Sequence, residues 1–342
     1  MVWADSTLPV GEEDMLSSLP IALDQERMKS ILARRAKESL GAGFEIERIE
    51  MDIYRRHANR CVVKYRIRGR SGEGFAEQEW RVIGKVLEPG VGEAIFHQMR
   101  QLWVHGFARC ADDAISMPEP LEFMPALSML LQEAVGGTSV RNLARQAPDE
   151  AHFRIAARAL VKLHRCPMPR GRTRSVEDLL LRCHPKHQVL SLAFPELAPA
   201  IEAIVERARA AERRLGPFAP TPVHGDFHLG QVHVEDSRAW LVDFDTLGFG
   251  DPASDLGNVM VFLQDKVRSN PAMRPMVEAF LDEYFSRMEP TIAERMPLYE
   301  ALTHVRRACK QYRLQQEEWR EKIVLMIERG LASMDEMEAR LA

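Results

Sequence analysis

The sequence lacks a long apolar run, an excess of basic charge and a regular cysteine pattern. Each absence argues against one class of protein. No stretch of about 18 apolar residues occurs, so we expect no membrane-spanning helix. The formal net charge of -4 gives no indication of a nucleic-acid partner. The five cysteines are scattered and odd in number, which is typical of reduced thiols in a cytosolic protein. The acidic first twenty residues do not resemble a secretory signal, so we predict a cytoplasmic location.

The remaining composition is that of an ordinary globular protein. Hydrophobic residues make up 46% and charged residues 28% of a 342-residue chain, which is long enough for two lobes with a cleft between them. Basic pairs such as Arg55-Arg56 and Arg306-Arg307 are interpreted as solvated surface.

The first part of the chain predicts a small antiparallel sheet. Residues 1–22 are interpreted as a flexible acidic arm, and 23–134 as a β-rich N-terminal lobe. Helical spacing predicts helices over 24–40 and 93–105, and alternation or apolar runs predict strands over 44–54, 61–67, 80–87 and 127–132.

The second part predicts a mostly helical C-terminal lobe over 135–342. Helical periodicity covers 150–165, 196–215, 252–266, 273–287 and 295–340, and a short β-like passage covers 232–244. The expected fold class is therefore α+β, with a β-sheet lobe joined to a larger helical lobe.

A short segment in the second half carries the chemistry. Residues 224–231 read HGDFHLGQ, and the apolar residues before Asp226 together with the glycines around it predict a tight loop. A carboxylate on such a loop can accept a hydrogen bond from an incoming hydroxyl and orient its oxygen. Taken alone, Asp226 is equally compatible with an ordinary turn aspartate.

Two further oxygen-bearing side chains suit magnesium. Gln231 offers a neutral amide oxygen, and Asp243 follows the apolar residues 240–242 at the end of a predicted strand. Asp245 would point the same way as Asp243 if that strand continued, and either a second metal or a turn cap is compatible with it. Next along the chain, Asp251 is a suitable helix N-cap, and Asp255 could bind backbone N–H groups of the catalytic loop or simply favour the helix N-terminus.

These residues together resemble the aminoglycoside phosphotransferase and choline kinase family of the protein-kinase-like superfamily. The family pattern is His-Gly-Asp, four residues and Asn, then a hydrophobic residue with Asp-Phe-Asp or Asp-Phe-Glu, and an Asp-Leu helix start. This chain has HGD at 224–226, Gln231 in place of Asn, VDFD at 242–245 and Asp255-Leu256. The match is strong over about thirty-five residues and loose over most of the chain.

The resemblance implies that the N-terminal lobe, 23–134, binds nucleotide and that the C-terminal lobe, 135–342, carries catalysis and acceptor binding. It also implies a role for each matching residue. Asp226 would be the catalytic base, and Gln231 and Asp243 would hold Mg²⁺ on ATP, with GTP as a possible alternative donor. Nucleotide-binding residues would be a phosphate-binding lysine, its ion-pair partner at the start of the next helix, and two hinge residues that bind adenine through their backbone. In this order they are Lys85, Glu93, Gln132 and Ala134.

Two departures from the family pattern bear on phosphate covering and on the acceptor. No Gly-x-Gly-x-x-Gly lies between the first two strands, where residues 56–60 form the turn. The glutamine at position 231 is similar to the pattern of maltokinases and related bacterial sugar kinases, which favours a sugar hydroxyl as acceptor.

The leading hypothesis is a small-molecule kinase that phosphorylates a hydroxyl of a sugar, amino sugar or aminoglycoside, as a monomer or homodimer without nucleic-acid or membrane partners. The acids Glu278, Asp282, Glu283 and Glu300 could receive a cationic acceptor or could be solvated helix faces. Two alternatives stay open, namely a bacterial serine/threonine protein kinase of the stress-response type and a catalytically silent nucleotide-binding fold.

Overall fold

The computed structural model describes residues 16–57, 59–72, 76–216 and 218–341. The strands are β1 (Phe44–His57), β2 (Arg60–Ser71), β3 (Gln78–Leu87), β4 (Ile115–Ser116), β5 (Pro120–Met124), β6 (Met129–Glu133), β7 (Thr138–Ser139), β8 (Thr221–Val223), β9 (Val232–Glu235), β10 (Arg238–Leu241) and β11 (Gly248–Gly250). The α-helices are α1 (Leu19–Ala22), α2 (Gln25–Leu40), α3 (Gly92–Leu102), α4 (Val140–Gln146), α5 (Glu150–His164), α6 (Val176–Leu181), α7 (His187–Ala193), α8 (Ala198–Arg214), α9 (Ala253–Ser269), α10 (Arg274–Phe285), α11 (Ile292–Leu314) and α12 (Trp319–Leu341). None of these helices is both long and apolar enough to cross a membrane.

The described residues form two compact units. The first contains 16–103 and 118–135, and the second contains 104–117 and 136–341. The structure differs here from the sequence analysis, which placed 104–117 in the N-terminal lobe. This segment joins the second unit because β4 pairs in parallel with β10, and because the ammonium of Lys162 on α5 donates a 2.6 Å hydrogen bond to the Ile115 carbonyl.

The first unit is built on a five-stranded antiparallel sheet with the order β1-β2-β3-β6-β5. The predicted antiparallel sheet is confirmed, but its edge strand β5 was not among the predicted strands. Helix α2 covers it, and its buried Met28, Leu32 and Ala36 recur every four residues along one face. The carboxylate of Asp24 accepts a hydrogen bond from the Arg27 N–H at 3.0 Å, which caps this helix at its N-terminus.

Residues 16–22 are packed into the first unit, so the prediction of a flexible arm was wrong for them. Leu16, Leu19 and Ala22 recur every three residues and are at most 3% exposed. The Tyr65 hydroxyl donates a 2.8 Å hydrogen bond to the Ala22 carbonyl, and the Ser18 hydroxyl bonds the Leu127 carbonyl at 2.6 Å. These contacts attach the segment to the sheet. The rest of the predicted arm, 1–15, lies outside the described residues.

The second unit is dominated by helices. Helix α11 packs against both α9 and α12, and α10 packs against α5. The helical periodicity over 295–340 corresponds to two helices, α11 and α12, rather than to one continuous helix. The break follows from the left-handed backbone of Gln315 (φ 44°) and Glu318 (φ 54°), which ends α11 and lets α12 fold back along it.

Two small sheets in the second unit hold the loops that matter for function. One has the strand order β4-β10-β9-β7, and the other pairs β8 with β11. The predicted β-like passage over 232–244 is confirmed only as far as Leu241, because residues 244–246 form a 3-10 turn.

Truncation of a buried side chain in α1 tests whether this segment contributes to the fold. We expect Leu19→Ala to lower the free energy of unfolding by about 2–5 kcal/mol, because Leu19 is 2% exposed. Leu192→Ala is the matched control, since Leu192 is 82% exposed and should cost less than about 0.5 kcal/mol. Equal denaturation midpoints for the two variants would contradict the packing of residues 16–22.

A buried acid in α11 should make stability depend on pH. Burial raises the pKa of Glu300 to about 7, although hydrogen bonds from the Gln264 amide at 3.3 Å oppose this. The folded pKa lies above the unfolded one, so the stabilisation is complete below about pH 4.5 and is lost as pH rises through about 7. We expect wild-type stability to fall by up to about 3 kcal/mol between these limits. In urea titrations, Glu300→Gln should flatten this slope. An unchanged slope in the variant would exclude Glu300 as its source.

Candidate active site

The loop after β8 carries the predicted catalytic residues and turns sharply at a glycine. Gly225 has φ +80°, and a Cβ built on it would lie 2.5 Å from the Thr246 carbonyl oxygen. Any other residue would therefore be strained and would collide with the neighbouring loop. The predicted tight turn is confirmed at this position, and it places Asp226 directly after the bend.

Asp255 holds this loop in place. Its carboxylate is fully buried and accepts hydrogen bonds from the backbone N–H of His224 at 2.6 Å and of Gly225 at 2.7 Å. Burial raises its pKa, but hydrogen bonding and charge interactions with His164 and His224 outweigh this, and the net pKa is lowered. Asp255 is thus held ionised, and the predicted role of binding catalytic-loop N–H groups is confirmed.

His164 and Tyr284 orient the Asp255 carboxylate. The Nε2 of His164 lies 3.1 Å from Oδ2 of Asp255, and its Nδ1 lies 2.7 Å from the Tyr284 hydroxyl. All three side chains are buried. This places His164 in a supporting role beneath the loop.

Asp226 projects from the loop and is bound by an arginine. Its side chain is 41% exposed, and its Oδ1 accepts a hydrogen bond from Nη1 of Arg306 at 3.1 Å. The other guanidinium nitrogen of Arg306 donates to Asn258 Oδ1, and the Asn258 amide donates to the Phe227 carbonyl at 2.7 Å. Helices α9 and α11 therefore fix both the carboxylate and the backbone that carries it.

The interpretation of Arg306-Arg307 as solvated surface was wrong. The side chains are 24% and 19% exposed, and Arg307 pairs with Asp265 at 2.8 Å. A signal was available in the sequence, because both arginines lie in the part of α11 where Val305, Ala308 and Cys309 are buried. Basic residues on a buried helix require carboxylate partners.

The two predicted metal ligands lie next to each other. Gln231 ends the 3-10 turn after the catalytic loop and is 7% exposed, and its Nε2 lies 3.3 Å from Oδ2 of Asp243. Asp243 has a left-handed backbone (φ 67°) just after β10. The Val242 N–H donates to the Gln231 carbonyl at 2.9 Å, so the two loops are tied together at this point.

Asp245 does not continue a strand beside Asp243. It lies in the 3-10 turn Phe244–Thr246, so the condition under which the two aspartates would point the same way is not met. Within the described residues, no three or more His, Cys, Asp or Glu side chains cluster as a metal site. A cation at this position would therefore be held by one amide and one carboxylate, together with ligands from outside the protein.

The first unit carries the residues expected to bind nucleotide. Lys85 lies in β3, is 6% exposed and stands in register between Val62 of β2 and Leu130 of β6. Glu93 lies in the first turn of α3 with a 64% exposed side chain, and its carboxylate is 3.9 Å from Nε2 of His97. The predicted Lys85–Glu93 ion pair is not formed, because Glu93 opens α3 on its solvent side.

The predicted hinge is partly engaged by the sheet. Gln132 lies in β6, is 4% exposed and pairs with Ile83 of β3 and Pro120 of β5. The Ala134 N–H donates to the Arg81 carbonyl at 3.1 Å, so this donor is already occupied. Ala134 can offer only its carbonyl oxygen to a nucleotide base.

Known structures share this fold. A choline/ethanolamine kinase family protein from Mesorhizobium loti aligns with a TM-score of 0.53 and 18% identity, over 90% of this chain and 96% of its own. A thermostable mutant of aminoglycoside phosphotransferase APH(4)-Ia in complex with ADP and hygromycin B aligns at 0.55 and 15%, over 89% and 98%. Amicoumacin kinase hAmiN in complex with AMP-PNP, Ca²⁺ and Ami aligns at 0.56 and 13%, over 83% and 88%. Identities this low establish the α+β fold alone.

Sequence comparison identifies the family. No curated protein matches the chain. The model of the phosphotransferase enzyme family, APH, matches residues 93–298, which is more than half of the chain and includes the catalytic loop, Asp243 and Asp255. The resemblance stated from the sequence motifs is thereby confirmed. The chain belongs to the phosphotransferase enzyme family, whose members transfer phosphate to hydroxyl acceptors.

Proposed function

We propose that this protein is a small-molecule kinase that transfers the γ-phosphoryl group of ATP to a hydroxyl of a sugar-like acceptor. The observation that carries the proposal is that Asp255 binds the backbone N–H groups directly before Asp226, while Gln231, further along the same segment, lies within hydrogen-bond distance of Asp243. Phosphoryl transfer needs this combination of a base and oxygen ligands on fixed backbone.

Asp226 acts as the base. Arg306 binds its Oδ1, which leaves Oδ2 to accept the hydrogen bond of the acceptor hydroxyl. In the transfer, the acceptor oxygen bonds to the γ-phosphorus, and the bond from that phosphorus to the bridging oxygen breaks. The electron pair leaves with ADP, and the hydroxyl proton passes to Asp226. Arg306 restricts the carboxylate to one orientation, so little ordering remains for the bound state.

Gln231 and Asp243 hold Mg²⁺ in this proposal. Their donor set, one amide oxygen and one carboxylate oxygen, is hard and suits Mg²⁺, which usually keeps waters and nucleotide phosphates as further ligands. When bound, Mg²⁺ neutralises charge on the β- and γ-phosphates. The glutamine side chain reaches this position because its backbone is tied to Val242.

The nucleotide is bound by residues of the first unit. Lys85 is the phosphate ligand, and its buried strand position favours a functional role because an aliphatic side chain would pack better there. Glu93 is not part of this site. Gln132 and the carbonyl of Ala134 are the proposed adenine ligands. The complexes of fold relatives with ADP and AMP-PNP support ATP as the donor.

Replacement of the proposed base should separate chemistry from binding. We expect Asp226→Asn to reduce kcat by about 10²-fold or more, because asparagine keeps the shape but cannot take the proton. Nucleotide affinity should stay within about twofold, since the side chain does not contact the metal pair. Asp236→Asn, in the turn between β9 and β10, is the control and should keep full turnover. Near-normal turnover of Asp226→Asn would remove it from the role of base.

Replacement of the proposed metal ligand should act on nucleotide binding. We expect Asp243→Asn to weaken the affinity for Mg-ADP by at least about tenfold, with little change for ADP measured in EDTA. The variant should fold, because asparagine tolerates the left-handed backbone at this position. Calorimetric titration with and without Mg²⁺ measures both affinities. If Asp243→Asn binds Mg-ADP as the wild type does, Asp243 is not a metal ligand.

A further inference from the structure

A small cavity with several polar side chains in its lining lies beside the catalytic loop in the second unit. It measures about 30 Å³, which is room for roughly two water molecules or one carboxylate group. Its lining comes from the catalytic loop, the end of α6, and helices α9 and α11. The side chains that carry hydrogen-bonding or charged groups are Arg182, Ser254, Asn258, Tyr299, Thr303 and Arg306. The lining thus contains two guanidinium groups and no carboxylate.

Of the two arginines, Arg182 makes fewer hydrogen bonds than Arg306 does. It follows α6 and is half-buried, and its Nη1 lies 3.0 Å from the place a Cβ on Gly225 would occupy, which puts it against the catalytic loop. Throughout the part of the chain that the structure describes, its guanidinium has no hydrogen-bond or ion-pair partner. The nearby Arg174 is different, because it donates to the Thr246 and Leu247 carbonyls at 2.8 and 2.9 Å.

The local charge is not balanced by the protein. Burial and repulsion by Arg306 and Arg174 together lower the pKa of Arg182 to about 10, and they outweigh attraction to Asp226 and Asp255. Asp226 is bound to Arg306, and Asp255 is occupied by the backbone of the catalytic loop. An anion in the cavity would compensate the remaining positive charge at a site already shielded from water.

Acids that could receive a cationic acceptor lie elsewhere. None of Glu278, Asp282, Glu283 and Glu300 lines the cavity. Glu283 is 3.1 Å from Arg287 and 3.7 Å from Arg158. Glu300 is bound to Gln264, and Glu278 lies at a separate surface pocket with two arginines. Glu283 and Glu300 are therefore occupied by other partners, and none of the four carboxylates borders the cavity.

We propose that the acceptor carries an anionic group, a carboxylate or a phosphate, which Arg182 and Arg306 bind in this cavity while a hydroxyl of the same molecule reaches Asp226. This inference rests on the proposed kinase function and narrows its substrate class. Arginine suits the task because its planar fork binds carboxylate and phosphate oxygens in pairs. The cavity is the size of the anionic head, so the rest of the acceptor would extend outward.

The cavity belongs to the acceptor rather than to the nucleotide. It borders Gly225 and Arg306, which adjoin and bind Asp226, whereas neither Gln231 nor Asp243 lines it. The nucleotide phosphates must lie with the metal ligands. An anion held at Arg182 is therefore separate from the nucleotide and close to the base.

Wild-type enzyme can test this inference with acceptors that differ in one group. Glucose, glucosamine, glucuronate and glucose 6-phosphate present the same type of hydroxyls with no charge, a cation, a carboxylate and a phosphate. We expect kcat/KM for at least one of the two anions to exceed that for glucose and glucosamine by tenfold or more, and the two anions distinguish a carboxylate site from a phosphate site. A preference for glucosamine, or equal values for all four, would overturn the inference and leave the kinase proposal standing.

A variant of Arg182 tests the same site without turnover. Calorimetric titration with inorganic phosphate and with glucuronate should give binding that is at least tenfold weaker in Arg182→Gln and is partly restored in Arg182→Lys. Arg154→Gln, which removes an exposed pair with Glu150, is the control and should bind like the wild type. Affinity for Mg-ADP should not change in any of the three variants, since the nucleotide lies elsewhere.

The outcomes distinguish the two proposals. If Arg182→Gln does not fold, the comparison of wild type with Arg182→Lys and the acceptor series still decide the matter. Anion binding that is absent in the wild type, or unaffected by Arg182→Gln, would refute the anion site. Absence of Mg-nucleotide binding to the wild type would refute the kinase proposal instead, and the inference that rests on it would fall with it.

Discussion

The arrangement of this site depends on one buried carboxylate. Asp255 has no exposed surface, and it accepts the N–H groups of His224 and Gly225 while His164 binds it from below. An ionised group in this position is stable only because each of its oxygens is hydrogen-bonded. The same bonds give the sharp bend at Gly225 a fixed conformation, and the direction of Asp226 follows from that bend.

The second loop is fixed to the first by several independent contacts. The Thr246 hydroxyl donates to the His224 carbonyl at 2.8 Å, and the Val242 N–H donates to the Gln231 carbonyl at 2.9 Å. Arg174 then binds the carbonyls that follow Asp245. Three of these four hydrogen bonds have a side-chain donor, so the positions of Gln231 and Asp243 depend on Thr246 and Arg174 as well as on the backbone.

Two arginines lie close to Asp226, the proposed base. Arg306 binds Asp226 directly, whereas Arg182 lies against Gly225 and faces a small cavity without a partner of its own. A buried cation without a counterion lowers stability, and binding of an anion offsets that cost. The proposed base and the proposed anion site therefore use different side chains, Asp226 on the catalytic loop and Arg182 at the end of α6, and Arg306 of α11 adjoins both.

Local patterns in the sequence were sufficient for the fold class, the antiparallel sheet, helix α2 and the roles expected of Asp226, Gln231, Asp243 and Asp255. Each of these depends on residues that are close in the chain, such as an apolar period or the HGDFHLGQ motif. The contacts of Arg182 and Arg306 with the catalytic loop could not be predicted from local patterns, since the two arginines lie 44 residues before and 80 residues after Asp226. An isolated arginine carries no signal of its partner. The exposure of Glu93, the packing of residues 16–22 and the occupied N–H of Ala134 also depend on contacts between distant segments. Charge balance around a site is a sum over such contacts, so only the folded chain determines it.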